Sequence, residues 1–213
     1  MHTPRTFVSF PNRRDFLSAA ISLPLAELAA RFYAVDTPGP VIVEAGRRVD
    51  AAAAETVRFP SSNVPKVRRK IEELLLGLKP MATVSAAACG ADLLLLDVAD
   101  GMGVPRYILL PSGPEEFRQS SVTDRPGNWG ELYTKALRSS HLEVLKLPEG
   151  QEGYLETNLK LLDRAQTLAN HERTTVRALV VWNLVSRGPD DVTEHFLEQA
   201  NHRRIPITEI STL

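Results

Sequence analysis

Short runs of aliphatic and β-branched residues alternate along this chain with stretches of helical spacing, and that alternation is what most constrains its fold. The strand-like runs are "VIVEA" from Val41 to Ala45, "MATVSA" from Met81 to Ala86, "VPRYILL" ending at Leu110, "LEVLKL", "RALVVW" and "IPITEI". Between the first two, Val64, Val67, Ile71, Leu74, Leu75 and Leu78 recur at three and four, which predicts a helix from Val64 to Leu78 with Ser61, Ser62 and Asn63 as candidate caps. Further helices are expected after Asp92, closed by Gly101 and Gly103, then from about Trp129 to Arg138, from Gly153 to Glu172, and before the last strand. Parallel strands cannot be joined by tight turns and need helical crossovers. The expectation is an α/β fold: a doubly wound, Rossmann-like, mainly parallel sheet of about six strands with helices on both faces.

The totals narrow the class. With 213 residues, 43% hydrophobic and 24% charged, and a formal net charge of -1, the chain has the composition of a globular protein and not of a polyanion-coating one. Nucleic acid is not an expected partner. One cysteine, Cys89, excludes an internal disulfide and fits a reducing, cytoplasmic setting. The five histidines, His2, His141, His171, His195 and His202, show no metal-ligand spacing, so no metal is expected. No apolar run reaches the roughly 18 residues of a membrane span. Residues 1–40 read as an amino-terminal extension, because "NRRDFLSAAISLPLAELAA" resembles a twin-arginine signal that would direct export to the periplasm. Glu27 and Arg31 interrupt that signal, whereas Leu25, Leu28, Ala29 and Phe32 lie on one helical face after Pro24. "DTPGP", Asp36 to Pro40, then marks the boundary with the domain over 41–213.

In a sheet of this kind ligands bind at the carboxyl ends of the strands, where helix N-termini present unpaired amides. Two turns fall there. "SAAACGAD" places small residues and Gly90 before the helix that starts near Asp92, leaving room for a phosphate-bearing ligand, though close helix packing also asks for small residues. "GRRVD" offers Gly46 for close approach and Arg47 and Arg48 as phosphate donors, with Asp50 and Asp92 as candidate acceptors of ribose hydroxyls. Neither turn carries the G-x-G-x-x-G or G-x-x-x-x-G-K-[ST] fingerprint. Cys89 reads as a thiol near a helix start or as buried packing, Trp129 as a stacking platform for a base, and Trp182 as core. The segment Pro111 to Asn128 reads as a long loop, either a lid or a surface excursion.

"AGRRVD" with "RFP", then "SAAACGADLLLLDVADGMGVPRYILLPSGPEEFRQSSV" and "GNWGELY", resembles the SLOG superfamily, the Rossmann-like group that includes the DNA-processing protein A fold and the Lonely Guy nucleotide hydrolases. The nearest look-alikes are SLOG modules of tetratricopeptide-repeat and cyclase-type signalling proteins. Gly46, Arg48 and Asp50 match the first motif; Ala87, Ala88, Cys89, Gly90, Ala91 and Asp92 match the second; Pro111, Phe117, Ser121, Val122 and Trp129 match the third. Arg47 stands where the pattern commonly has histidine. The resemblance implies a module that binds or senses a nucleotide-derived ligand in signalling, with no cofactor besides that ligand. After "VVWN" the chain departs, reading "RGPDDVTEHF" where relatives are glycine-rich, and the Lonely Guy motif P-G-G-x-G-T-x-x-E is absent. Asp190 and Asp191 would repel a phosphate there and read as helix N-terminal acids. Non-catalytic binding is thus the first expectation. The alternatives are a nucleoside monophosphate hydrolase using an unidentified acid, with Glu194 an open candidate, and a protein-interaction module with a homo-oligomer or a signalling partner.

Overall fold

The computed structural model describes residues 38–213, so the amino-terminal helix or export signal expected over 1–40 falls almost wholly outside the described residues. Six strands, β1 (Val41–Gly46), β2 (Ala82–Ser85), β3 (Arg106–Leu110), β4 (His141–Val144), β5 (Val176–Trp182) and β6 (Ile207–Ser211), pair in the order β4-β3-β2-β1-β5-β6, every pair parallel. Six α-helices join them: α1 (Val64–Leu78), α2 (Ala91–Gly101), α3 (Pro114–Ser121), α4 (Trp129–Arg138), α5 (Gln151–Glu172) and α6 (Val192–His202). The expected α/β fold is the one observed. β1 sits at the centre with Val41, Ile42 and Val43 fully buried, an unbroken apolar run because both faces are covered.

The two faces have separate cores. On one, α1, α2 and α4 bring Ile71, Leu75, Leu95 and Tyr133 against Ile42 and Ile108. On the other, Leu161, Leu162 and Ala165 of α5 and Phe196 of α6 pack on Val41, Val43 and Val180. After β4 the chain reverses: the 22 residues of α5, roughly 33 Å long at 1.5 Å per residue, run beneath the sheet and deliver β5 to the free side of β1. The strand order therefore switches direction at β1, and a crevice opens there at the carboxyl ends.

Three local expectations change. Ser61–Asn63 form a short 3-10 turn that runs into α1, and neither Pro60 before the turn nor Asn63 before the helix makes a side-chain capping bond. The long loop over Pro111 to Asn128 contains α3, begun by Pro114 with Glu115 and Glu116 in its first turn. It buries only Phe117 and Ser121, too few positions to show a period. β4 ends at Val144, earlier than "LEVLKL" suggests, and Lys146 then takes a left-handed conformation at φ 57°.

At the switch point the segment after β1 crosses the turn after β2 at backbone contact. The Ala91 amide donates to the Arg47 carbonyl at 3.2 Å. Gly90, at φ 98°, lies so close that a Cβ there would stand 2.7 Å from the Arg47 carbonyl oxygen and 2.9 Å from the Val49 nitrogen. Gly46 is equally confined, since its Cβ would meet that of Ala91 at 2.4 Å. Gly90→Ala is therefore expected to destabilise the protein by about 3 kcal/mol, combining a left-handed backbone penalty with overpacking. Urea unfolding of the variant measures this.

Candidate functional site

A cleft of about 450 Å³ opens above the carboxyl ends of β1 and β2, walled by the segment after β1, the Ala86–Ala88 turn, α5 and the loop before α6. Of the residues singled out in the sequence, Gly46, Arg47, Arg48, Asp50, Ala88, Asp92, Phe117 and Ser121 line it. The others do not. Ala87 is buried at φ 68°, a conformation that costs a non-glycine residue about 1–3 kcal/mol. Cys89, Gly90 and Ala91 pack into the core, and burial pushes the Cys89 thiol up to about 12, which leaves it protonated and unreactive. Trp129 is also core, its indole donating to the Pro126 carbonyl at 2.9 Å. Pro111 borders a different hollow with Ser112 and Pro148.

The floor of the cleft is acidic. Alternation along β1 turns Ile42, Glu44 and Gly46 toward α2, so Glu44 meets Asp92 in the first turn of that helix. Glu44 is fully buried; Ser85 Oγ donates to its Oε2 at 3.2 Å, while Oε1 has no donor among the described residues. Asp92 is 6% exposed and its Oδ2 accepts from the Ala88 amide at 3.0 Å. Burial, and then the neighbouring Asp92, raise Glu44 well above the usual carboxylate range; burial likewise pushes Asp92 up to about 7. With the two carboxyls facing each other, one proton held between them or a donor brought by a ligand is what gives Glu44 Oε1 a partner. Sequence reasoning passed over Glu44, and its signal was an acid inside an otherwise apolar central strand.

The rim is cationic. Arg48, Arg58, Arg125 and Arg187 all line the cleft. Arg48 donates to the Ser120 carbonyl and to Asp124, both at 2.9 Å, and Arg187 leans on Asp191 at 3.5 Å. Arg58 has no carboxylate within 4.0 Å among the described residues, and the Nε of Arg125 is buried without an acceptor among them. Asp50 closes the intervening loop, its Oδ2 accepting from the Arg58 and Phe59 amides at 2.9 Å each. On the far wall Tyr154 bonds Ser121 at 2.9 Å, and Asn158 donates to the Val192 carbonyl at 2.7 Å.

Arg47 plays a different part from its neighbour. It is 4% exposed and forks onto Asp191, Nη1 to Oδ1 at 2.5 Å and Nη2 to Oδ2 at 2.6 Å, with further bonds to Asn183 and the Val185 carbonyl. Its guanidinium also lies 5.6 Å from the Trp182 ring. Burial raises Asp191, but the bonds from Arg47 and the Arg187 amide outweigh it and hold the carboxyl well below the usual range. Asp191 caps α6 as well, accepting from the Thr193 and Glu194 amides. The donors of Arg47 are thus consumed within the protein. Glu194 is bonded to Ser186 and does not line the cleft. Among the described residues no group of three His, Cys, Asp or Glu is placed to hold a metal, and no helix is long and apolar enough to cross a membrane.

No model of a known protein family matches the sequence, and no curated protein matches it. Among solved structures the chain is distantly similar to DNA processing protein A from Streptococcus pneumoniae, at 15% identity and a TM-score of 0.39 over 80% of this chain and 58% of that one. It is similar to the Moco carrier protein from Chlamydomonas reinhardtii at 11% identity and a TM-score of 0.35, over 82% and 91% of the two chains. DNA processing protein A from Helicobacter pylori, known for its single-stranded DNA binding mode, gives 12% identity and a TM-score of 0.36 over 79% and 75%. The functional reading rests on the geometry of the cleft itself.

Two stability effects follow from the charges. Arg47→Met strips the buried Asp191 of its bidentate partner, leaving Arg187 at 3.5 Å as its cation, and should cost about 3 kcal/mol, read by urea denaturation. The raised acids bind protons in the folded state that the unfolded chain has released, so between pH 5 and pH 8 stability falls as pH rises. Asp191, shifted the other way, is ionised in both states across that window and adds no slope. Glu44→Gln, which removes one of these raised acids, should therefore reduce the loss of stability between pH 5 and pH 8. Thermal melts of both proteins at the two pH values check the sign.

Proposed function

We propose that this protein binds a nucleotide or nucleotide-derived ligand in the cleft at the switch point, with phosphate against the Gly46–Arg48 segment and the Ala88 turn. The observation that carries this reading is the cleft's polarity: guanidinium groups of Arg48, Arg58 and Arg125 around the mouth, small residues at the base of the turn, and an uncharged wall of Tyr154, Thr157 and Asn158 opposite. Phosphate suits the mouth because charge-assisted bonds from arginine are the strong ones, and because Ala86 and Ala88 leave the backbone approachable. Tyr154 supplies apolar area of the kind a base or sugar covers. The resemblance of the Gly46–Asp50 and Ala87–Asp92 motifs to SLOG modules supports the same ligand class and a sensing role in signalling.

The acid pair at the floor favours a second reading, in which the protein cleaves the bond between base and ribose of a nucleoside monophosphate. Incubating the full-length chain with a panel of nucleotides and separating the products by chromatography distinguishes the two. Ligand recovered intact supports binding, whereas freed base supports hydrolysis. A thermal-shift screen against the same panel identifies the ligand, since saturation at 100 times Kd adds about 2.7 kcal/mol of stability. Arg58→Ala should then weaken the nucleotide that binds by about tenfold to a hundredfold while leaving the melting temperature of the free protein unchanged. An unaltered affinity removes Arg58 from the site.

A further inference from the structure

The cleft asks for different chemistry at its two ends, and the floor is the more demanding. Glu44 is fully buried, lines the cleft, and has one oxygen without a donor among the described residues; Ser85 occupies its other oxygen and the Ala88 amide occupies Asp92. An apolar occupant would leave the pair a single shared proton and no other donor, and a second phosphate would meet two acids. The occupant must not be anionic and must bring hydroxyl or amine hydrogens. A hydroxyl fits better than an ammonium, because it both donates and accepts and so satisfies the pair whichever carboxyl holds the proton.

Spacing selects the class of ligand. Glu44 Oε1 lies 2.9 Å from where a Gly46 Cβ would stand, so the acid pair sits directly beneath the turn. Two carboxyls side by side match two neighbouring hydroxyls, the pattern that a sugar ring carries. Resting on the nucleotide reading above, we infer that Glu44 and Asp92 form a subsite for the 2′ and 3′ hydroxyls of a phosphorylated ribose. The pair acts as a specificity determinant, separating ribose phosphates from ligands that lack the hydroxyl pair. Four arginines at the mouth and two acids on the floor then match the two ends of one molecule.

Isothermal titration of the full-length protein with AMP, GMP, CMP and UMP, and with the 2′,3′-dideoxy form of each, tests this. The wild-type protein should bind at least one ribonucleotide about tenfold or more tighter than its dideoxy counterpart, the scale of one to two hydrogen bonds to charged groups. In Glu44→Leu that ratio should collapse to within about threefold while the dideoxy affinity holds, and Glu44→Gln, which keeps one acceptor, should fall between. A thermal melt establishes that each variant is folded; if the leucine variant is not, the glutamine variant decides. Equal binding of ribo and dideoxy forms by the wild type overturns the subsite and leaves the nucleotide reading standing, as does a full ratio in a folded variant. No binding of any of the nucleotides by the wild type overturns both.

Discussion

The contact on which the rest of the molecule depends is the crossing of two backbone segments at the middle of the sheet. β1 and β2 are adjacent and parallel, so their following segments must both leave by the same edge. Gly46 and Gly90 let those segments pass at contact distance, and the bond from the Ala91 amide to the Arg47 carbonyl fixes their register. Three consequences share this origin. The N-terminus of α2 is drawn over β1, Asp92 is brought down onto Glu44, and Arg47 and Arg48 emerge on opposite sides of the crossing. A side chain at either glycine would separate the segments and the acid pair with them.

The acid pair carries a cost in stability. Buried carboxyls that are not neutralised by arginine weaken a fold at neutral pH, and the same chain shows the stable alternative a short distance away in Arg47 and Asp191. Glu44 and Asp92 have no such partner, and one oxygen of Glu44 is left without a donor among the described residues. Sites that break the packing rules in this way are where binding chemistry tends to reside.

Much of the architecture was legible in the residues themselves. Val64–Leu78 and Trp129–Arg138 agree with the sequence expectation because a buried face recurring at three and four leaves little freedom over ten or more residues. The parallel sheet follows from helical crossovers, and Asp191 does begin α6 as an acid at a helix start should. α3 was hidden because its eight residues bury only two side chains. The two arginines show a different limit: successive side chains of an extended segment point to opposite sides, and nothing local says that Arg47 turns inward to a carboxylate 144 residues away while Arg48 stays at the cleft. Glu44 was passed over for the same reason, since its neighbour across the floor belongs to the next crossover.

The capping of α6 by Asp191 has a consequence for where an incoming anion can sit. A helix start beside a strand's carboxyl end is an ordinary seat for phosphate, and glycine-rich loops keep that seat vacant. Here the carboxylate of Asp191 already fills it, taking the Thr193 and Glu194 amides and the fork of Arg47 together. The protein carries its own resident anion, a tethered counter-ion that cannot diffuse away. That customary berth for an anion is thereby closed from within.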